Sequence, residues 1–225
     1  MEFEFRDRAT FLPDRSALVC ADLHVGKDAS SNVTFELGER EDLVGRLEAL
    51  SIRYDPDVVV IAGDLLHSFE RVPAGAASTV RAIADAIDAV TVVVPGNHDT
   101  MLTELWDGPI TPEYRLGDVV VTHGHVEPAA DADHYVVGHD HPTIEIEGVR
   151  HPCYLYGPDQ YRGADVLMVP SFSRLPAGVV VNDLSTEEFL SPLVTDADRL
   201  RPIVRDERSG TTHEFPPLGE FRSLL

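Results

Sequence analysis

The chain has 225 residues, 43% of them hydrophobic, so a large core can form, and no stretch approaches the roughly 20 apolar residues of a membrane-crossing helix. It carries 39 acidic against 18 basic residues, a formal net charge of -21 with Lys27 the only lysine, and no basic patch of the kind a tight nucleic-acid interface displays. Two cysteines, Cys20 and Cys153, with no C-x-x-C spacing, exclude a disulfide framework and fit a reducing cytoplasm.

The N-terminal "MEFEFRDRAT" alternates apolar and charged residues without an apolar signal core, so export is not indicated and a cytoplasmic location is expected. The acidic residues are spread along the chain instead of gathered in a tail. Such a lysine-poor, acid-rich surface suits a salt-saturated cytoplasm, where self-repulsion is screened to about 3 Å at 1 M salt.

Strand-like runs begin at Glu2 to Phe5 and Ala17 to Ala21. "EDLVGRLEAL" sets Leu43, Val44, Leu47 and Leu50 on one helix face. "DVVVIAGD" is an apolar run, Val58 to Ala62, as in a strand covered on both faces. "AASTVRAIADAID" predicts a helix with Val80, Ile83 and Ile87 inward, followed by a strand over Thr91 to Val94. Further strands are expected at Val119 to Val121, Tyr135 to Val137, Thr143 to Ile146, Val166 to Val169 and Val179 to Val181. The first half thus reads as βαβ units and the second as short strands between turns. No repeat or long linker divides the chain, so a single α/β domain over 1–225 is expected, with a loosely packed tail from about 205 to 225.

Apolar runs in the first 141 residues stop at residues that can bind metal. "LVCADLH" ends in Asp22 and His24, "VVVIAGD" in Asp64, and "VVVPGNHD" in Asn97, His98 and Asp99. "VVVTHGH" ends in His123 and His125, and "YVVGHDH" in His139, Asp140 and His141. Ligands of open α/β sheets gather beyond the carboxyl ends of the strands, so these ends converge on one rim. The intervening glycines let the backbone turn sharply. Carboxylates, imidazoles and an amide oxygen without thiolates suit Mn²⁺, Fe²⁺ or Zn²⁺. Any one such ending is commonplace, whereas five in order are not. No GxxxxGK[ST] is present, so P-loop triphosphate hydrolysis is not supported.

The order D-x-H, GD, GNHD, H, GHxH over Leu18 to Pro142 resembles the calcineurin-like metallophosphoesterase superfamily. "HGH", "GHDHP" and "VPSFSRLPAGVVVND" resemble, more loosely, a small group of archaeal predicted phosphoesterases related to those encoded beside bacterial DNA ligase genes; the composition is similar to that of halophilic archaeal proteins. The resemblance implies a four-layered α/β/β/α sandwich of two mixed sheets flanked by helices. It implies one metal on Asp22, His24 and His141, a second on Asn97, His123 and His139, and Asp64 bridging them. The two divalent ions are expected to be Mn²⁺, with Fe²⁺, Zn²⁺ or Ni²⁺ as alternatives. Attack by a metal-bridging hydroxide would cleave a phosphodiester, or a phosphomonoester, of a small molecule or nucleotide, with His98 protonating the leaving oxygen.

Many relatives carry GD-x-x-D, whose second aspartate orients the catalytic histidine. Here the stretch is "GDLLH", which places His67 there. Either His67 touches the substrate phosphate or another carboxylate, with Asp99 nearest in sequence, takes the orienting role. His125 is expected in the second shell or facing substrate, and Asp99 and Asp140 as supports of the turns. The competing readings are a DNA-repair nuclease and a non-catalytic scaffold on the same fold. The first lacks support from charge and from any added DNA-capping domain, and the second is disfavoured because His98 and every ligand position are present.

Overall fold

The computed structural model describes residues 1–27, 38–67, 72 and 75–223. The first half contributes β1 (Glu4–Arg6), β2 (Ala9–Leu12), β3 (Ala17–Cys20), helix α1 (Glu39–Tyr54), β4 (Val58–Ala62), α2 (Ala76–Asp85), β5 (Val90–Val94) and the single turn α3 (Leu102–Leu105). The second contributes β6 (Tyr114–Leu116), β7 (Val119–Val121), β8 (His134–Val137), β9 (Pro142–Ile146), β10 (Val149–Pro152), β11 (Tyr154–Tyr161), β12 (Ala164–Met168), β13 (Val179–Val180), β14 (Arg201–Asp206), β15 (Thr211–Glu214) and α4 (Leu218–Phe221).

These strands form two mixed sheets and a small third one. The first has the order β1-β2-β3-β4-β5, with β3, β4 and β5 parallel. The second has the order β15-β14-β11-β12-β8-β7-β6, with β12, β8 and β7 parallel. Side-chain alternation along each strand separates three cores. In β3, Ala17 and Val19 face the second sheet, where they meet Val119, Val121, Val136 and Tyr154. Leu18 and Cys20 point the other way, into a core shared with Leu43, Leu47 and Leu50 of α1 and Val80 and Ile83 of α2. The far face of the second sheet is covered by short 3-10 turns, α4 and the β10-β9-β13 sheet, which supply Ile144, Val181, Leu193, Leu200 and Phe221. Two mixed sheets with flanking helices are the expected architecture.

Helix α1 follows the predicted face. Leu43, Leu47 and Leu50 are buried at i, i+4 and i+7, and Glu39, Glu41 and Asp42 occupy the first turn, where carboxylates favour the helix dipole. It ends at Asp55, which takes φ 43° and returns its N–H to Ser51 O before Pro56. One buried residue of α1 is not apolar. Arg46 pairs with Asp42 at 2.6 Å, lies over the Phe172 ring at 3.9 Å and donates to the Phe172 carbonyl at 2.7 Å.

Among the described residues six strands, β2, β6, β10, β11, β14 and β15, lie outside the expected runs. β11 contains "YGPD", whose glycine and proline punctuate like a loop, and its register against β12 does shift between Gly157 and Tyr161. β14 opens "RP" but pairs with β11 and β15. The stretch expected as a loose tail from 205 pairs in the sheet through β15, and Leu218 and Phe221 are only 0% and 5% exposed. The hydrophobic contacts of α4 hold it down. Among the described residues no helix is long and apolar enough to cross a membrane.

Candidate metal centre

Parallel strands β3, β4 and β5 of one sheet and β7 and β8 of the other all release their chains at one edge of the sandwich. Backbone conformation makes the turn there in an unexpected way. Asp22, His24, Asp64, His139 and His141 themselves adopt positive φ, at 58°, 50°, 48°, 76° and 49°. A non-glycine residue in that region costs on the order of 1–2 kcal/mol, so neighbouring structure must hold it. The holding bonds are Asp22 N–H to Gly63 O at 3.0 Å, His24 N–H to Asp64 O at 2.9 Å and Val25 N–H to Leu65 O at 2.8 Å, which lace the β3 and β4 exits together.

The glycines between these residues serve mainly to admit side chains. A Cβ at Gly96 would stand 2.1 Å from Asp64 Oδ1, one at Gly63 2.1 Å from His123 Nδ1, and one at Gly138 2.6 Å from Asp22 Oδ2 and 2.5 Å from Ala21 Cβ. Gly138→Ala is therefore expected to destabilise the metal-free protein by about 2 kcal/mol, a loss of about 4–8 °C in a thermal melt.

Two groups of polar atoms result. Asp22, His24 and His141 bring ligand atoms within 4.8 Å of one another: the two Nε2 atoms lie 3.1 Å apart, and His141 Nε2 is 3.3 Å from Asp22 Oδ1. Asp22, Asp64 and His123 form the adjoining group, with His123 Nε2 3.6 Å from Asp64 Oδ1 and 3.2 Å from Asn97 Oδ1. His139 stands beside it, ring centroids 4.8 Å from His123, and its N–H donates to Asp22 Oδ2 at 3.0 Å. Asp22 thus belongs to both groups, and Asp64 stands in the second.

The donor set fits divalent cations. Ligand atoms about 2.0–2.1 Å from a common ion lie about 2.9–3.4 Å apart at angles between right and tetrahedral, which brackets the His24–His141 spacing. Among the described residues Asp22 Oδ1 is buried without a hydrogen-bond partner, which leaves lone pairs for a cation. His123 Nδ1 lies 3.1 Å from Ala62 O; donating there, it leaves the Nε2 lone pair facing the Asp64 and Asn97 oxygens, three acceptors that a cation between them would satisfy, while the carbonyl orients the ring. Burial pushes His24 down to about 3 and His139 down to about 4, so both rings are neutral at physiological pH. Burial, with Asp22 and Asp99 nearby, pushes the Asp64 carboxyl up to about 8. A carboxylate so short of compensating positive charge is what a cation at this place would relieve.

His98 borders both groups. Its N–H donates to Asp64 Oδ1 at 2.9 Å, and its Nε2 lies 3.8 Å from Asp64 Oδ2. Its Nδ1 lies 3.2 Å from the main-chain carbonyl of His67, so a backbone oxygen stands where an orienting carboxylate was sought. Burial lowers the His98 pKa, while that carbonyl and the charge of Asp99 act against the shift. The Asp99 carboxylate accepts from Leu65, Leu66 and Gly96 N–H at 3.2, 2.8 and 2.9 Å, tying the β4 and β5 exits. Asp140 likewise accepts from Leu190 and Ser191 N–H at 2.7 and 3.1 Å.

The His67 ring stacks on His98, with centroids 5.9 Å apart and planes at 8°, and His24, His67 and His98 together form a third group of ligand atoms within 4.8 Å. His125 packs 5.1 Å from His123 and 6.0 Å from His139. Sequence reasoning missed the support under Asp22, whose carbonyl accepts from Ser171 Oγ at 2.8 Å and Ser173 N–H at 3.2 Å. The quoted "VPSFSRLPAGVVVND" was the available signal.

The two-sheet α/β sandwich gathers carboxylates, imidazoles and an amide at its strand ends, a donor set able to hold divalent metal. The chain belongs to the calcineurin-like phosphoesterase family, whose profile matches residues 16–168. Among solved structures it is similar to a nuclease, MPE, of Pseudomonas putida, at 25% identity over 88% of each chain with a TM-score of 0.62. No curated protein matches its sequence.

Proposed function

We propose that this chain is a dinuclear phosphodiesterase that works best with Mn²⁺. The observation that carries the reading is Asp22, which belongs to two adjoining sets of oxygen and nitrogen ligands, the second of them including Asp64. Asp22, His24 and His141 would hold one ion and Asn97, His123 and His139 the other, with Asp64 shared. Two bound cations supply a clamp on the phosphoryl oxygens and lower the pKa of water towards neutrality.

The chain's own residues do the rest. Protonated His98, held through Nδ1 by the His67 carbonyl, presents Nε2–H to the departing alkoxide. The His67 ring, stacked on His98, takes a phosphate oxygen of the substrate. Asp99 and the lacing between the β3 and β4 exits keep these groups fixed as charge develops.

A second reading, a nuclease, is favoured by the Pseudomonas putida neighbour. Each chain covers 88% of the other, so the likeness to that nuclease extends over most of both sequences. The scaffold reading is opposed by His98 and by the carboxylates and imidazoles gathered beside it, which a non-catalytic fold does not need.

The test is hydrolysis of bis-p-nitrophenyl phosphate and p-nitrophenyl phosphate by metal-stripped protein, with Mn²⁺, Ni²⁺, Zn²⁺ or Mg²⁺ restored in molar KCl. Mn²⁺ is expected to restore diester cleavage above monoester cleavage; a preference for the monoester overturns the substrate assignment. Cleavage of single-stranded DNA under the same conditions decides for the nuclease. Metal-stripped protein should also melt about 5–10 °C higher with Mn²⁺ at a hundredfold its dissociation constant, since binding only the folded state contributes about 2.7 kcal/mol.

A further inference from the structure

Beside the metal centre lies a cavity of about 230 Å³ whose wall includes His141 and Ser171 together with Arg8, Arg150 and Arg174. No aspartate or glutamate lines it among the described residues. In a chain with 39 acidic and 18 basic residues, that inversion of local charge stands out. Of the two other cavities described, one is lined by Glu104 and Asp107 with Arg81, the other by Glu48, Asp55, Asp85 and Asp88.

The three arginines differ in what already neutralises them. Arg174 pairs with Asp42 at 2.8 Å and Asp7 at 3.6 Å, and Arg150 with Glu145 at 3.3 Å, all towards solvent. Arg8 is half-buried and makes no ion pair within 4.0 Å among the described residues; its Nη1 donates to the carbonyls of Ser173 at 2.6 Å and Ser171 at 3.3 Å. Burial first, then the charges of Arg46 and Arg174, bring it down to about 10, with Asp42 offsetting part of the effect. A guanidinium in that position gains from an anion, and its planar fork suits phosphate.

The cavity is also fixed to the reaction centre. Ser171 and Ser173, which seat Arg8, both bond the carbonyl of Asp22. Gly178, at φ 71°, lies so close to the wall that a Cβ would stand 2.1 Å from Thr143 Oγ1 and 3.0 Å from His141 O. Residues 174–178 are the part of "VPSFSRLPAGVVVND" for which the metal centre alone gives no use.

We propose that this cavity seats a second phosphate of the substrate, one linkage away from the phosphate being cleaved, so that the preferred substrate is a nucleotide or oligonucleotide bearing more than one phosphate. The inference rests on the phosphodiesterase reading and narrows its substrate class. Arg8 is the central contact, Arg150 and Arg174 attract the anion at the rim, and the site selects substrate without taking part in bond cleavage.

The experiment compares three esters in the Mn²⁺ form: thymidine 5′-(p-nitrophenyl phosphate), the same compound carrying a 3′-phosphate, and the same compound extended by one nucleotide at the 3′ oxygen. The second and third separate a terminal phosphate from an internal diester. Wild type should prefer at least one of them by about tenfold in kcat/KM over the first, and Arg150→Ala and Arg8→Lys should each cut that preference at least threefold. Arg150 is exposed, so its variant carries the test if Arg8→Lys fails to fold. Separately, fluorescence anisotropy of a labelled pentathymidylate on metal-stripped protein should show weaker binding by Arg150→Ala. An unchanged preference ratio and unchanged anisotropy overturn the site, even where the simple ester is hydrolysed. If no ester is hydrolysed, the phosphodiesterase reading fails, and the anisotropy result alone upholds or overturns the anion seat.

Discussion

Asp64→Ala is expected to lower diester hydrolysis by ~10³-fold or more and to reduce the bound metal to one ion or none per chain. The size follows from the worth of a cation clamp, several kcal/mol of transition-state charge stabilisation, with each 1.36 kcal/mol a factor of ten. Asp64 lies in the second ligand group beside Asp22, the residue common to both, and its Oδ1 also accepts the His98 main-chain N–H at 2.9 Å. Removing it therefore disturbs ion binding and the seat of His98 together. Asp64→Asn keeps the size and an acceptor oxygen, so it separates loss of charge from loss of shape, and it should be nearly as inactive.

The same substitution has an opposite signature in the metal-free protein. Burial, with Asp22 and Asp99 nearby, pushes Asp64 up to about 8, above its value in the unfolded chain. A folded-state pKa raised in this way gives stability that is fully present below the unfolded carboxyl pKa and is lost as pH rises through about 8. Metal-stripped wild type should accordingly lose stability relative to Asp64→Asn between about pH 4 and pH 8 in denaturant melts. With Mn²⁺ the order should reverse, because the ion would bind the carboxylate. A parallel pH course of the two metal-free proteins would contradict the environment assigned to Asp64.

His98→Ala should act on a different quantity. A positioned general acid contributes about 10²–10⁴-fold, so kcat on a diester with a poor leaving group should fall by at least ~10²-fold while metal content stays at the wild-type value. The loss should shrink on p-nitrophenyl esters, since nitrophenolate departs without needing a proton. A leaving-group dependence of this kind does not arise from a merely structural histidine. If His98→Ala instead releases both ions, the contact of its N–H with Asp64 Oδ1 is its main contribution and the acid role is wrong.

The rim itself was legible because five apolar runs each end in a ligand-type residue, and strand direction sends all five ends to one edge. Burial on both faces made β3, β4, β7 and β8 continuous apolar strings, easy to read. β11 and β14 were hidden because glycine and proline inside a strand look like turns, and only pairing in the second sheet overrides them. The positive φ values at Asp22, His24, Asp64, His139 and His141 were not legible, because the residue types do not favour that conformation and long-range bonds impose it. For the same reason the support of His98 escaped detection. A main-chain carbonyl, such as that of His67, leaves no residue-type signal. Arg46 and the Ser171 to Ser173 segment under Asp22 are likewise defined by contacts more than a hundred residues apart in sequence.

The most direct test of the account is the anomalous diffraction of crystals of this protein soaked in Mn²⁺. The account predicts two peaks, one enclosed by Asp22, His24 and His141 and the other by Asn97, His123 and His139, with Asp64 touching both. A single peak, or two peaks with Asp64 turned away from them, would contradict it.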